Sequence, residues 1–219
     1  KAIMFSIGCA SIWLGLLNSV QEICKEKVIL QKEHMADLKL SSYLLSKFIV
    51  QGIIAFIQAT LLVGIFQKIV GSSEHSILID GYWDIQLVSF LSILAAASTG
   101  LFISAVVKNS NIAMSVIPLI LVPQLLYSGM LFKLDGITDF VSNFVLCRWT
   151  VEALGTSVNL NDLTHIAQTI NPLIEIEPEN YFTFTTEHMI EVIGIILLMT
   201  AVLMLASYFV LRKNVNKNM

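Results

Sequence analysis

Charge is scarce in this chain, and it is missing altogether from five long stretches. Acids and bases make up 13% of the 219 residues, against roughly one quarter in a soluble domain. No acid, base or histidine falls inside residues 2–21, 48–67, 85–107, 109–132 or 192–211. Each stretch is at least about 20 residues long, which is what a helix needs to cross hydrocarbon. Proton-coupled carriers, ion pumps and intramembrane proteases need ionisable groups at membrane depth, so the same absence argues against those classes.

Other absences narrow the field further. The histidines His34, His75, His165 and His188 are spread over three connections and make no metal-ligand spacing. The neighbouring pairs Glu33-His34, Glu74-His75 and Glu187-His188 read as solvated loop residues. There is no Gly-x-x-x-x-Gly-Lys-Ser/Thr loop, so this segment does not itself bind ATP in the P-loop manner, and nothing is basic enough for nucleic acid. Of the three cysteines, Cys9 lies in the first apolar run, Cys24 on the connection after it and Cys147 beyond the fourth run, so no pair is expected to share a compartment where a disulfide could form. No Asn-x-Ser/Thr sequon occurs, and eleven Lys against two Arg is the composition of an AT-rich bacterial genome.

What remains is apolar: 56% of the chain is hydrophobic, and its mean hydropathy is +0.78. We therefore expect an all-α polytopic membrane helix bundle, a single domain over 1–219 with five spans at the stretches above. Lys25, Lys27, Lys32, Lys39 and Lys47 follow the first span, and Arg212, Lys213 and Lys217 follow the last. Those sides should be cytoplasmic, with a cytoplasmic C-terminus. The loops holding Glu74, Asp80 and Asp84, and Asp135, Asp139, Glu152, Asp162, Glu175, Glu177, Glu179, Glu187 and Glu191, should face outward. An odd span count puts Lys1 outside, so an earlier sixth span is expected upstream, with a cleaved signal peptide as the rival.

Two connections are long enough to matter. Segment 22–47 places Ile23, Val28, Ile29, Leu30 and Met35 among charges at loosely helical spacing, with a second piece over 38–47. It reads as an amphipathic cytoplasmic helix that either meets a partner or lies on the headgroups. Segment 133–191 begins with Ile137, Phe140, Val141, Phe144, Val145 and Trp149 at three- and four-residue intervals, which predicts short external re-entrant or interfacial helices, partly buried. Beyond it, Asn171-Pro172 and Glu177-Pro178 are breakers in an exposed loop.

Polar residues inside the spans are few. Gln51 and Gln58 share a face, either for interhelical hydrogen bonds or to line a polar path, and Ser92, Ala96, Gly100 and Ser104 form a small-residue ridge for close packing. Pro118 and Pro123 should kink or break the fourth span and, because freed carbonyls need partners, either place it in the interior near any translocation route or mark a purely structural kink.

Four segments carry a resemblance. Glu26-Lys27-Val28-Ile29-Leu30-Gln31-Lys32-Glu33-His34 resembles an acid-bounded cytoplasmic segment, and Ser41-Ser42-Tyr43-Leu44-Leu45-Ser46-Lys47 the Ser/Ala-Tyr-x-Leu-Ala-Lys start of a following span. Ser128-Gly129-Met130-Leu131, then Leu134 and Ile137, resembles a Ser-Gly-hydrophobic turn. Cys147-Arg148-Trp149-Thr150-Val151-Glu152-Ala153-Leu154 resembles an Arg-Tyr-x-x-Glu-Ala-Leu stretch. In this order they are similar to the permease domains of ABC exporters of the pigment, sterol and multidrug half-transporter type, the G subfamily and its bacterial relatives. The chain departs from them in Trp149 for Tyr, in having no Gly before Ser41, and in lacking an external cysteine pair.

The resemblance implies an exporter permease in a bacterial cytoplasmic membrane that starts here at the family's second span. It implies docking of a nucleotide-binding domain, fused upstream or separate, at Glu22, Glu26, Lys32, Glu33 and His34. It also implies pairing with a second permease domain around a central cavity. Trp13, Leu16, Gln124 and Tyr127 would line that cavity, and Met130 and Leu131 would form its valve. The permease itself would hold no cofactor and do no covalent chemistry, with ATP and magnesium held by the nucleotide-binding partner. Membrane lipid would surround it, and an apolar path would suit amphiphiles such as lipids, drugs or lipid-linked glycans. The alternatives are a non-transporting membrane scaffold or assembly protein, and an intramembrane enzyme using His165 or Glu152.

Overall fold

The computed structural model describes residues 2–35, 38–71, 77–131, 136–162 and 181–217, excepting the side chains of Gln31, His34 and residues 215–217. His165, Leu134, His75 and the breakers at 171–172 and 177–178 lie outside the described residues. Among the described residues the chain is helical, with no strand: α1 (Ala2–Ser19), α2 (Lys27–Met35), α3 (Leu40–Val70), α4 (Gly81–Val106), α5 (Ser110–Leu126), α6 (Ile137–Ser142), α7 (Leu146–Ser157) and α8 (Thr186–Lys217). Four of them, α1, α3, α4 and α8, are long and apolar enough to cross a membrane. The chain is an integral, polytopic membrane helix bundle.

α4 is the hub, packing against α1, α3, α7 and α8. In its most apolar window 67% of residues are buried, against 22% in α3 and α8. The predicted small-residue ridge explains this position. A Cβ on Gly100 would lie 2.0 Å from Ser19 Oγ and 3.0 Å from the Leu16 carbonyl, and one on Gly15 would lie 2.1 Å from the Ile93 carbonyl. The α1 and α4 backbones therefore touch where each helix lacks a side chain.

α3 shows the opposite pattern. Ile49, Ile53, Ile57, Leu61 and Ile65, one turn apart, are all exposed, while Leu44, Gln51, Ala55, Ala59 and Val63 face inward. That outward stripe is the lipid face of a helix buried on one side only. α3 does make an interhelical hydrogen bond, but through Thr60, whose hydroxyl pairs with the Gln86 amide of α4 at 2.9 Å, and not through the predicted Gln58, whose Oε1 is buried without a hydrogen-bond partner among the described residues.

The fourth run differs most from expectation. α5 is a continuous 17-residue helix holding both Pro118 and Pro123, and it ends at Leu126. It is about 25 Å long and short of the roughly 30 Å hydrocarbon thickness. It is peripheral in this chain rather than interior: only Ala113, Ile117 and Leu121 are buried, and Leu119 is 74% exposed. One residue per turn reaches the bundle, so both prolines sit on its open side.

α7 departs the other way. The sequence pattern predicts partial burial, but Leu146 to Ser157 is almost wholly enclosed except at Trp149. α7 packs beside α1, α4, α5 and α8, while α6 keeps Ile137 and Phe140 exposed. One consequence bears on the cysteine reading: Cys147 is buried in the same core that Cys9 of α1 packs against, because α7 sinks into the bundle instead of lying over it, and both thiols are free.

Candidate functional site

Polar side chains gather at the two ends of the bundle. At one end the chain leaves α1 through turns over 20–26 and enters α2. Ser104 of α4, fully buried, uses Oγ to accept the N–H groups of Ile23 at 2.9 Å and Cys24 at 3.0 Å. Lys27 Nζ donates to the Val107 carbonyl at 3.1 Å, and Asn214 of α8 donates to the Ala105 carbonyl at 3.0 Å. Both bonds satisfy carbonyls in the last turn of α4, where a helix has no donors of its own and its dipole favours a cation.

On the other side of the same turn, Lys47 of α3 donates to Glu26 at 2.7 Å and to Glu22 at 3.3 Å, and the Tyr43 hydroxyl donates to Glu26 at 3.0 Å. The Lys47 hydrogen bond, helped by Tyr43 and opposed by burial, holds the Glu26 carboxyl below the usual range. Two of the predicted docking residues, Glu22 and Glu26, are thus engaged within the chain. Lys32 and Glu33 stand exposed on α2 with Val28, Ile29 and Met35, while Leu30 anchors the helix inward. His34 belongs to α2, with its side chain outside the described residues.

At the opposite end α5 closes in a tight turn. The Ser128 hydroxyl donates to the Leu125 carbonyl at 2.8 Å, and Gly129 follows with φ 82°, a left-handed conformation that a side chain would strain. Ser128, Gly129 and Met130 then face Arg148 and Glu152 of α7 across a small pocket floored by Phe182. Leu131 is 56% exposed beside it. Gln124 Oε1 accepts the Cys147 N–H at 2.8 Å and so ties the end of α5 to the start of α7.

Arg148 organises this layer. Its guanidinium donates to Ser142 at 3.1 Å and to Asn143, lies 3.6 Å from Asp139, and is flanked by the rings of Trp149 and Tyr181 at 4.8 and 5.0 Å. Glu152, one turn on, has Oε2 at 3.7 Å from Arg148 Nε and Oε1 at 3.3 Å from His188 Nε2 of α8. Burial pushes the Glu152 carboxyl up to about 7, and Arg148 and His188 only partly offset that.

The predicted cavity residues do not form one group in the single chain. Trp13 is 45% exposed, Leu16 is sealed under α4 at 1%, and Gln124 and Tyr127 are half-buried near the α5 turn. The sequence motif holds Arg148 and Glu152 but does not reveal their partners Asp139 and His188, nor does the sequence single out Ser104 as the acceptor at the other end. The signal available for Arg148 and Glu152 was their i, i+4 spacing on an otherwise apolar helix.

Residues 2–157, which take in α1 to α7 and most of both sites, match the family model described as ABC-2 type transporter. An ABC transporter ATP-binding/permease protein of Mycobacterium tuberculosis is 22% identical over 162 residues, covering 72% of this chain and 19% of that protein. The chain therefore spans about a fifth of that relative's length.

Proposed function

The chain belongs to the ABC-2 type transporter family, and on that premise we propose that it is the permease of an ATP-driven exporter of the G-subfamily kind. A nucleotide-binding domain, fused upstream or separate, holds ATP and magnesium and docks on α2 at the cytoplasmic face. Two permease domains pair around a central path, and closure of their nucleotide-binding domains shifts an inward-open dimer toward outward release. The permease does no covalent chemistry.

The carrying observation is the exposure of α2. Val28, Ile29 and Met35 are 66%, 57% and 69% exposed beside Lys32 and Glu33, at the far end of a turn pinned by Ser104, Lys27 and Lys47. A rigidly based helix with an open apolar and charged face supports the reading of α2 as a docking surface. For the cargo, the exposed Trp13 and the open α5 side with Leu119 and Val122 support an apolar path suited to amphiphiles, with Met130 and Leu131 at its outer valve.

The test is the charge reversal Lys32→Glu with Glu33→Lys in the assembled transporter, reconstituted in lipid. Basal ATP hydrolysis should persist while lipid-stimulated turnover is lost. Unchanged stimulation refutes docking on α2, and a full-length product without any ATPase activity returns the chain to the scaffold reading.

A further inference from the structure

We propose that Ser104 and Lys27 form the joint through which a displacement of α2 is delivered to the end of α4 and the start of α5, an inference that rests on the reading of α2 as the docking element. α2 is not a continuation of α1, because residues 20–26 are turns, so α1 cannot pass on motion as a rigid rod. The turn is held instead by distant groups. The N–H groups of Ile23 and Cys24 both end on the buried Ser104 hydroxyl, and Lys27 clasps the Val107 carbonyl. Cys24 Sγ also lies 3.7 Å from Ser110 Oγ, the first residue of α5. Only Lys108 and Asn109 follow Val107 before α5 begins, so a pull on the turn reaches both helices at one point.

What happens next depends on how each helix is held. α4 is locked against α1 by the backbone contacts at Gly15 and Gly100. α5 buries only Ala113, Ile117 and Leu121, so it is the element free to swing. Its far end carries the Gln124 bond to Cys147 and the turn that presents Met130 to the pocket beside Arg148 and Glu152. The joint thus hands a push on α2 to α5, and α5 carries it across the membrane to the outer turn. Ser104 and Lys27 are positioning residues in this scheme and touch neither nucleotide nor cargo.

The experiment uses the full-length product with its nucleotide-binding domain in vesicles of phosphatidylethanolamine and phosphatidylglycerol, with ATP and magnesium. It compares Ser104→Ala, Lys27→Met, Lys27→Arg and the α2 charge reversal. Amide hydrogen exchange at Ile23 and Cys24 should rise in Ser104→Ala. Both Ser104→Ala and Lys27→Met should keep basal hydrolysis but lose lipid stimulation by about five-fold or more, the lower end of typical site-to-site coupling, with Lys27→Arg restoring it. Faster exchange with stimulation intact in Ser104→Ala overturns the proposal, as does full stimulation in Lys27→Met. If the charge reversal abolishes stimulation while the joint variants do not, α2 docks but the joint does not transmit. If the reversal is also without effect, the docking reading itself has failed.

Discussion

Glu152 Oε1 lies 3.3 Å from His188 Nε2, and this contact fastens the buried α7 to the first turn of α8. Its other oxygen faces Arg148 Nε across 3.7 Å, and neither of those two atoms has a hydrogen bond among the described residues. A carboxyl group and a guanidinium are therefore held close but not closed, in the layer that also backs Met130.

That arrangement has a pH consequence with a definite sign. Glu152 is faced by Arg148 on its own helix, by Asp139 of α6, and by His188 and Glu191 of α8 with Tyr181 just before it, yet burial dominates and raises its carboxyl from 4.5 to about 7. The folded state then holds a proton that the unfolded chain has released, so this group's stabilisation is full below about 4.5 and is lost as pH rises to about 7, on the order of 3 kcal/mol. Glu152→Gln removes the titration. Thermal unfolding of both proteins from pH 4.5 to 8 should show the variant gaining on the wild type as pH rises. A constant difference, or a gap moving the other way, contradicts the assignment.

The α1 and α4 contact makes a paired prediction. Gly100→Ala puts a methyl 2.0 Å from Ser19 Oγ and 3.0 Å from a backbone carbonyl, whereas Gly64→Ala in α3 meets nothing within 4 Å. The first should cost about 2 kcal/mol or more, as over-packing does, and the second should be neutral or slightly stabilising, because alanine favours helix. Unfolding in detergent reads both. Equal effects of the two substitutions would show that the helices are not in backbone contact at Gly100.

Thiol accessibility tests the burial of α7. Cys147 is 0% exposed although it follows the fourth apolar run, in a segment that looks external by sequence. A membrane-impermeant maleimide should leave the Cys147 peptide unlabelled in the folded protein and label it after denaturation in dodecyl sulfate. Rapid labelling of the native protein would mean that α7 lies over the bundle and not within it.

Local pattern and solvent preference were enough for much of this protein. Runs without charge select helices that cross hydrocarbon whatever their neighbours, so the existence of α1, α3, α4 and α8 and the small-residue ridge of α4 were legible, although α3 and α8 each begin several residues before the predicted run. The Ser128-Gly129 turn was legible only through the family resemblance, and the structure supplies its reason, a positive φ that glycine alone adopts without strain. Other features depend on which residues meet across the fold. Ser104 reads as one more small residue until Ile23 and Cys24 arrive with unpaired N–H groups. Glu26 reads as a free docking acid until Lys47 and Tyr43 claim it. His188 reads as a loop residue until α7 sinks between α1, α4 and α8 and brings Glu152 to it. By itself the sequence determined that the chain must be a membrane helix bundle, because hydration of charge is a property of each segment. Only the tertiary structure decided which polar groups are partners, because a hydrogen bond between residues far apart in the chain depends on packing that no single segment specifies.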